Sequence, residues 1–301
     1  MGTSQSDADR QLPIAEEIFL DHVAHFVPDR DSAVRALHRA GFATAPVSIQ
    51  VNAAADGGPA RLTGTGNVTA MFKRGYIEVL FKTAETPLGH ELDAALARHV
   101  GVHLAAFSVA DAAAARERLA GAGFRLRPLA QMQRPVDTEG GEPGTAAFTL
   151  ARLEPGEMPE GRMQILTHRT EHMVWQPRWL SHSNGALALT RLIIAVADPA
   201  EAAERFGRLT GRQPMRVLHG HTLPLDRGRL DLMTEEAFAR LLPEVAIPAL
   251  PFVGAYGVRV RSLAALGPIV RGAGLQQRSR DQGLVVPFPP ELGRGAWLFA
   301  E

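Results

Sequence analysis

The stretch "HVAHFVPDRDSAVRALHRAGF" (22–42) decides the fold prediction. Its first part alternates apolar and other residues, as a half-buried strand does. Asp29 then stands where a helix N-cap belongs, because its short side chain can accept hydrogen bonds from the free N–H groups of the first turn. An Ala/Arg-rich segment follows, and Gly41 ends it at a position that favours glycine. The stretch therefore predicts a strand that leads into a helix with defined ends.

The same pattern occurs three more times along the chain. Asp111, Asp198 and Ser262 stand at the cap positions, and a glycine follows each of them about a dozen residues later. Shorter alternating segments after each helix predict further strands. The sequence thus predicts an α+β fold of tandem βαβββ modules in four copies. The three further stretches are "HLAAFSVADAAAARERLAGAGF" (103–124), "RLIIAVADPAEAAERFGRLTGR" (191–212) and "YGVRVRSLAALGPIVRGAGLQ" (256–276).

Pairing of the modules predicts two domains. The junction falls near "WQPRWLSHSNG" (175–185), a polar stretch with proline, glycine and asparagine. We expect modules one and two in a domain over 17–178, and modules three and four in a degenerate domain over 186–301. The polar residues 1–16 are expected to be disordered.

The composition excludes several classes of protein. Lys+Arg and Asp+Glu both number 32, and the charges are interspersed, which argues against a nucleic-acid-binding protein. The absence of cysteine excludes thiolate metal sites and thiol nucleophiles. Neither a signal peptide nor an apolar run long enough to span a membrane is evident, so we expect a cytoplasmic location. Motifs typical of serine hydrolases, zincins and dehydrogenases are missing.

Two polar residues stand in segments that otherwise read as buried strands. Glu78 lies within "YIEVLF" (76–81), and His22 lies in the first strand. A carboxylate is rarely fully buried unless it is paired or bound. Either each residue is a satisfied core polar group, with Glu78 paired to a cation such as Lys73, or the two converge on a metal ion.

Three stretches together carry a family resemblance. These are 22–42, "LTGTGNVTAMFKRGYIEVLF" (62–81) and "RPVDTEGGEPGTAAFTLARLEPGEMPEGRMQILTHRTEHMVW" (134–175). They resemble the glyoxalase-like proteins of the vicinal oxygen chelate superfamily, which includes glyoxalase I, bleomycin-resistance proteins and extradiol dioxygenases. The resemblance covers residues 18–200 well and the last hundred residues weakly. It implies that each module curls into half a barrel, and that the four copies form two half-barrel pairs.

In that superfamily the cleft between two paired modules holds a divalent metal ion. The resemblance implies Fe, Mn, Ni, Zn or Co, bound by ligands from the first and last strand of each module. The matching positions are His22 and Glu78 in module one, and His103 and Gln164 in module two. His22 precedes its cap by seven residues and His103 precedes its cap by eight, so His103 needs a β-bulge to face the metal. Strict register places Leu104 there instead.

The resemblance also implies roles for other residues. Glu78 is the candidate catalytic residue, as metal ligand or general base, and Asn67 and His168 are candidates for the substrate pocket. In module three, Arg191 and Asp231 stand at the positions of His22 and Glu78. They predict an ion pair that fills the equivalent site without a metal.

The function implied is that of a metal-dependent lyase or isomerase of glyoxalase type. It would act on a small oxygenated organic substrate and stabilise an enediolate or a similar anion. A non-catalytic small-molecule-binding protein of the resistance type and an extradiol-type dioxygenase remain open as alternatives. The expected partner is a small-molecule substrate, with no nucleic acid and no membrane, and a homodimer is the candidate assembly.

Overall fold

Each of the four segments singled out above begins with a long strand and a capped helix. We describe a computed structural model that covers residues 10–54, 58–281 and 283–301. The side chain of Asp29 accepts from the backbone N–H groups of Asp31 and Ser32, as predicted. Three equivalent caps are confirmed at Asp111, Asp198 and Ser262.

The described residues form two sheets, each with two consecutive groups of one strand, one helix and three strands. This element order is the one expected for glyoxalase-like βαβββ modules. The first sheet contains β1 (Ile18–Phe26), β2 (Ser48–Asn52), β3 (Arg61–Met71), β4 (Tyr76–Lys82), β5 (Gly101–Val109), β6 (Ala130–Asp137), β7 (Pro143–Arg152) and β8 (Arg162–His168). The second contains β9 (Ala186–Ala195), β10 (Met215–Val217), β11 (Gly220–Pro224), β12 (Arg229–Met233), β13 (Phe252–Val260), β14 (Arg278–Arg280), β15 (Gly283–Pro287) and β16 (Ala296–Ala300).

Seven helices accompany the strands in the described residues. Four of them are the predicted module helices, and α2 and α6 connect one module to the next in each half. The short α4 and a 3₁₀ turn at Pro177–Trp179 lead from the first sheet to the second. The helices are α1 (Arg30–Arg39), α2 (Pro87–Arg98), α3 (Ala112–Gly121), α4 (Glu171–Val174), α5 (Pro199–Thr210), α6 (Glu235–Leu241) and α7 (Leu263–Gly272).

The first sheet closes into a barrel, whereas the second stays open. In the first, the strand order is β1-β4-β3-β2-β6-β7-β8-β5, and β5 pairs with β1 to complete the ring. In the second, the order is β10-β11-β12-β9-β13-β16-β15-β14. In each sheet the leading strands of two modules are antiparallel neighbours: β1 pairs with β5, and β9 pairs with β13. These two pairs bring the first strands of paired modules side by side.

The stretch "TGTGN" (63–67) lies within a strand. It belongs to β3, which begins at Arg61 and ends at Met71. The register of β3 against β2 shifts between Gly66 and Leu62, which marks a bulge. Gly64 has φ +90°, and a Cβ there would lie 1.9 Å from Oγ1 of Thr86, the N-cap of α2. Glycine therefore allows α2 to sit against this end of the barrel.

The two halves share one hydrophobic core. Phe42, at the end of α1, lies 5.4 Å from the ring of Trp297 in β16. The buried ring of His25 in β1 also contacts the second half of the chain. Its Nδ1 lies 2.8 Å from the carbonyl oxygen of Leu292, and its Nε2 lies 2.8 Å from the hydroxyl of Tyr256. The indole N–H of Trp297 donates to the same hydroxyl. A polar group on β1 is thus satisfied entirely by the second half of the chain.

In the second sheet, α6 supplies apolar side chains to a core of its own. Phe238 and Leu242 are fully buried there against Ile193 and Phe252. This core also contains Ala255, which module four carries near the position of His22. The concave side of the second sheet is therefore filled by side chains from its own connecting helix.

Parts of the predicted domain description lie outside the described residues or stay untested. Residues 1–9 of the expected disordered segment 1–16 are not described, whereas Arg227 donates to the carbonyl oxygens of Arg10 and Gln11. The division into domains over 17–178 and 186–301 stays a prediction. Among the described helices, none has the length and apolarity that a membrane span requires.

The contacts of His25 predict a loss of stability in acid. Burial lowers the pKa of His25 from 6.5 to about 4, and the hydrogen bond to Leu292 offsets this only in part. Below pH 6.5 the unfolded chain binds a proton that the folded chain excludes, so the free energy of unfolding decreases as the pH falls from 6.5 towards 4. Urea unfolding at a series of pH values measures this slope.

The slope is expected to be smaller by about one proton in a His25→Phe variant. The exposed His90 supplies the matched control, because His90→Phe removes an imidazole that has no contact with the core. An equal pH dependence in the wild type and in His25→Phe would contradict the prediction.

Candidate functional site

A β-bulge in β1 turns two consecutive polar side chains towards each other. Leu20 pairs with Phe107 of β5 and His22 pairs with Ala106, so Asp21 is one extra residue in β1. An extra residue of this kind breaks the alternation of side chains between the two faces of a strand. As a result, Asp21 Oδ1 lies 2.7 Å from Nδ1 of His22.

Asp21 is fully buried and bridges two imidazoles. Its second oxygen, Oδ2, lies 2.9 Å from Nε2 of His168 at the end of β8. Burial raises the pKa of the Asp21 carboxyl, but the charge and hydrogen bonds of His168 and His22 outweigh burial and lower that pKa below its usual range. The carboxylate therefore stays ionised, and each imidazole donates one N–H to it.

This arrangement fixes the tautomer of His22. Since Nδ1 carries the proton that is donated to Asp21, the lone pair lies on Nε2. The ring is further held by stacking on Tyr76, with ring centroids 4.3 Å apart. Burial and the neighbouring Asp21 and Glu78 raise the pKa of Tyr76 well above 10, so its hydroxyl stays protonated. His22 thus presents Nε2 to the barrel interior on a ring that Asp21 and Tyr76 hold in place.

Glu78 faces that nitrogen and is oriented in the same way. Its Oε1 accepts hydrogen bonds from Gln50 Nε2 at 3.2 Å and from Asn67 Nδ2 at 2.5 Å. Its Oε2 lies 3.7 Å from Nε2 of His22. One oxygen is therefore held by amide donors, while the other is left towards His22.

His22 and Glu78 line a cavity inside the barrel. Its volume is about 20 Å³, which holds a water molecule or a single ion but no organic molecule. Gln164 of β8 also lines it. Three arginines complete its polar lining, Arg134, Arg152 and Arg162, and Arg152 Nε donates to Gln164 Oε1 at 3.4 Å.

The second module supplies Leu104 where the first supplies His22. Across the β1–β5 pair, His22 lies opposite Ala106, and Leu104 lies opposite Ala24, so a local two-fold axis relates His22 to Leu104. The same axis relates Glu78, which pairs with Ala24, to Gln164, which pairs with Ala106. Gln164 therefore occupies the matching position that the resemblance assigned to it.

His103 points away from the cavity. Leu104 lines the cavity, whereas His103 does not. Its Nε2 lies 2.7 Å from the carbonyl oxygen of His99. Burial lowers the pKa of His103 to about 4, and the charges of Arg98 and Arg162 act in the same direction. β5 does carry a bulge at His103, because Ala24 pairs with Leu104 and His25 pairs with Val102. The bulge nevertheless leaves Leu104 on the cavity lining, so His103 does not join His22 and Glu78.

The other two predicted pocket residues play different parts. Asn67 lines the cavity and orients Glu78. His168 does not line the cavity but lies behind His22, against the rings of Phe148 and Trp175. Sequence reasoning missed Asp21 and the three arginines. The dipeptide Asp21–His22 gave no signal, since strict alternation would send its side chains to opposite faces of the strand.

The third module carries the predicted Arg–Asp pair. Arg191 Nη1 lies 3.8 Å from Asp231 Oδ2, and Arg229 Nε lies 3.2 Å from the same oxygen. The positions of His22 and Glu78 thus hold an ion pair in the second half of the chain.

Within residues 10–54, 58–281 and 283–301, no group of three or more His, Cys, Asp or Glu side chains is arranged to hold a metal ion. Two such donors, His22 and Glu78, meet in the cavity, and Gln164 is an amide donor beside them.

Solved structures with this fold include enzymes and a protein of undescribed activity. A hypothetical protein from Staphylococcus aureus superposes with a TM-score of 0.63 at 10% identity, over 94% of this chain and 98% of its own. The Mn(II)-bound glyoxalase from Novosphingobium aromaticivorans gives 0.55 at 10% identity, over 94% and 81%. A mutant 4-hydroxymandelate synthase from Streptomyces coelicolor gives 0.50 at 13%, over 95% and 94%. At these identities the likeness concerns the fold alone.

A comparison with curated protein sequences gives no match. The family described as "Glyoxalase-like domain" matches residues 20–210, which include both modules of the closed barrel and every residue of the cavity. With well over half of its length matched, this chain belongs to the glyoxalase-like domain family of the vicinal oxygen chelate superfamily.

Proposed function

We propose that this protein is a divalent-metal-dependent lyase or isomerase of the glyoxalase type that acts on a small oxygenated organic substrate. The observation that supports this most directly is the 3.7 Å approach of His22 Nε2 and Glu78 Oε2 inside an ion-sized cavity. Both atoms can coordinate a metal ion, and Nδ1 of His22 is already engaged by Asp21. A cation between them would satisfy both.

The donors present fit a divalent metal ion. Nitrogen and oxygen ligands at about 2.0–2.2 Å from an ion are separated from each other by about 3–4 Å, and the observed distance lies in that range. Metal-bound histidines usually donate their second N–H to a carboxylate, as His22 does to Asp21. Gln164 Oε1, which accepts a hydrogen bond from Arg152, would be a third donor to such an ion, whereas Leu104 would supply none.

A bound divalent ion would supply Lewis-acid polarisation of neighbouring substrate oxygens. The chain itself supplies the groups that move and hold protons. Glu78 Oε2 is the base that takes a proton from the substrate carbon next to a carbonyl group, while Gln50 and Asn67 fix its orientation. The protonated hydroxyl of Tyr76 is a donor on the same lining.

The residues that line the barrel cavity support the two alternative functions to different degrees. An extradiol-type dioxygenase would want two histidines and a carboxylate, and Leu104 takes the place of the second histidine. A non-catalytic, metal-free binding protein is the second candidate, favoured by the three arginines that share the cavity lining with Glu78. The homodimer and the cytoplasmic location stay predictions.

Metal binding separates the first candidate from the second. We expect about one equivalent of Mn²⁺ or a similar ion per chain in isothermal titration calorimetry, since two oriented donors share one cavity. His22→Ala should abolish this binding, while His90→Ala, which removes an exposed imidazole, should leave it intact. Equal metal binding by the wild type and His22→Ala would contradict the assignment.

Asp21 is expected to act as a positioning residue for His22. In Asp21→Asn the side chain keeps its size but loses its charge, and one of the two imidazoles must change its tautomer. We expect metal affinity to fall by about 10–100-fold, as for other carboxylates behind a metal-bound histidine. The pH midpoint for metal binding should shift as well, because the negative charge beside His22 is removed. Retained affinity with an unchanged pH midpoint would assign Asp21 a structural role alone.

The proton-transfer role of Glu78 has its own readout. The metal-loaded protein in D₂O should exchange the hydrogen next to the carbonyl in at least one of a panel of α-hydroxyketones and thiol adducts of α-ketoaldehydes. Glu78→Gln, which keeps the shape but not the basicity, should lose about 10²–10⁴-fold in exchange rate. Proton NMR follows the exchange, and an equal rate in Glu78→Gln would exclude Glu78 as the base.

A further inference from the structure

A second and larger pocket lies at the end of the barrel that α2 covers, and we call it the α2 pocket. Its volume is about 340 Å³, within the range of small-molecule sites. Phe26, Ala95, Met158 and Met163 supply apolar surface, and Arg152 and Arg162 supply positive charge. The pocket therefore offers an apolar wall with cationic groups at one side.

The two arginines connect the α2 pocket to the barrel cavity. Arg152 and Arg162 line both spaces. Through its Nε, Arg152 also touches Gln164, next to His22 and Glu78 on the cavity lining. A ligand in the α2 pocket that reached Arg152 would thus end beside the candidate metal site.

Positive charge on these arginines is only partly balanced. Glu91 on α2 lies 2.5 Å from Arg127 and 3.5 Å from Arg162, so one carboxylate serves two guanidinium groups. Glu154 lies 3.5 Å from Arg127. Arg152 has no carboxylate within ion-pair distance among the described residues. Its guanidinium makes a single hydrogen bond there, to an uncharged amide oxygen.

The charge state of Arg152 agrees with this picture. Burial and the charges of Arg162 and Arg127 lower the pKa of Arg152 to about 10. The charges of Glu91 and Glu78 raise this pKa, but by less. Arg152 is half-buried, and a partly desolvated cation without an anionic partner is stabilised when a ligand supplies the opposite charge. A carboxylate is a suitable partner because the planar guanidinium can donate two parallel N–H groups to its two oxygens.

We propose that the α2 pocket binds a small organic anion, in which one carboxylate lies on Arg152 and an apolar body lies against Phe26, Met158 and Met163. This proposal adds a substrate class to the proposed function. It rests on that function only where it takes the bound anion to be the substrate. The apolar body matches the pocket in size, whereas the cavity of about 20 Å³ is too small to hold it.

The test compares an acid with its amide on the full-length protein. Phenylbutyrate and phenylbutyramide share shape and apolar body and differ in charge. Binding is measured by isothermal titration calorimetry in the presence of a metal chelator, so that the result does not depend on the metal. We expect the acid to bind at least about tenfold more tightly than the amide, the effect of charge-assisted hydrogen bonds at a buried site.

Two variants and a control assign the effect to the pocket. Arg152→Gln should remove the preference for the acid, whereas Arg216→Gln, at an exposed position in β10, should keep it. Ala95→Phe on α2 should weaken the acid and the amide alike, because it fills the pocket without touching an arginine. Thermal melts check that each variant is folded.

The outcomes separate this proposal from the proposed function. A preference for the acid that is lost in Arg152→Gln supports the pocket, even if Mn²⁺ fails to bind and the metal-dependent function falls. Equal binding of acid and amide, or binding that Ala95→Phe does not weaken, overturns the pocket even if the metal binds at His22.

Discussion

The buried carboxylate of Asp21 constrains the whole interior of the barrel. An ionised group without water must be compensated on each of its oxygens, and His22 and His168 do so from two different strands. The requirement ties β1 of the first module to β8 of the second. It also fixes the proton on Nδ1 of His22, and thereby leaves Nε2 as the atom that faces Glu78. The chemistry of the cavity follows from where this one negative charge is placed.

The two halves use the same succession of elements for different ends. In the first half the sheet closes, and polar side chains line a small cavity within it. In the second half Phe238 and Leu242 of α6 fill the concave side of an open sheet, and Arg191 pairs with Asp231 at the positions of His22 and Glu78. The ion pair and these apolar side chains occupy the positions that line the polar cavity in the first half. The second sheet therefore packs against the first half through the shared core. His25 and Tyr256 hold the halves together through contacts that depend on a neutral imidazole.

Carboxylates and guanidinium groups lie on different sides of the cavity. Asp21 and Glu78 lie on the side of β1 and β4, next to the lone pair of His22. Arg152 and Arg162 lie on the side of β7 and β8, towards the α2 pocket. A cation and an anion can therefore occupy neighbouring positions, each next to side chains of the opposite charge. Such a gradient suits a reaction in which a metal ion and an anionic substrate must approach each other.

The sequence by itself determined the succession of elements, since cap residues, C-terminal glycines and strand alternation are local signals. The family resemblance of the sequence added His22, Glu78, Asn67 and Gln164 as candidates, and these four side chains line one cavity. Only the tertiary structure decided that His103 faces outward and Leu104 inward, that Asp21 turns to His22, and that the three arginines converge. These outcomes depend on a one-residue bulge in β1 and on the pairing of strands far apart in the chain. A shift of one residue exchanges the two faces of a strand, and no local pattern in the sequence records it.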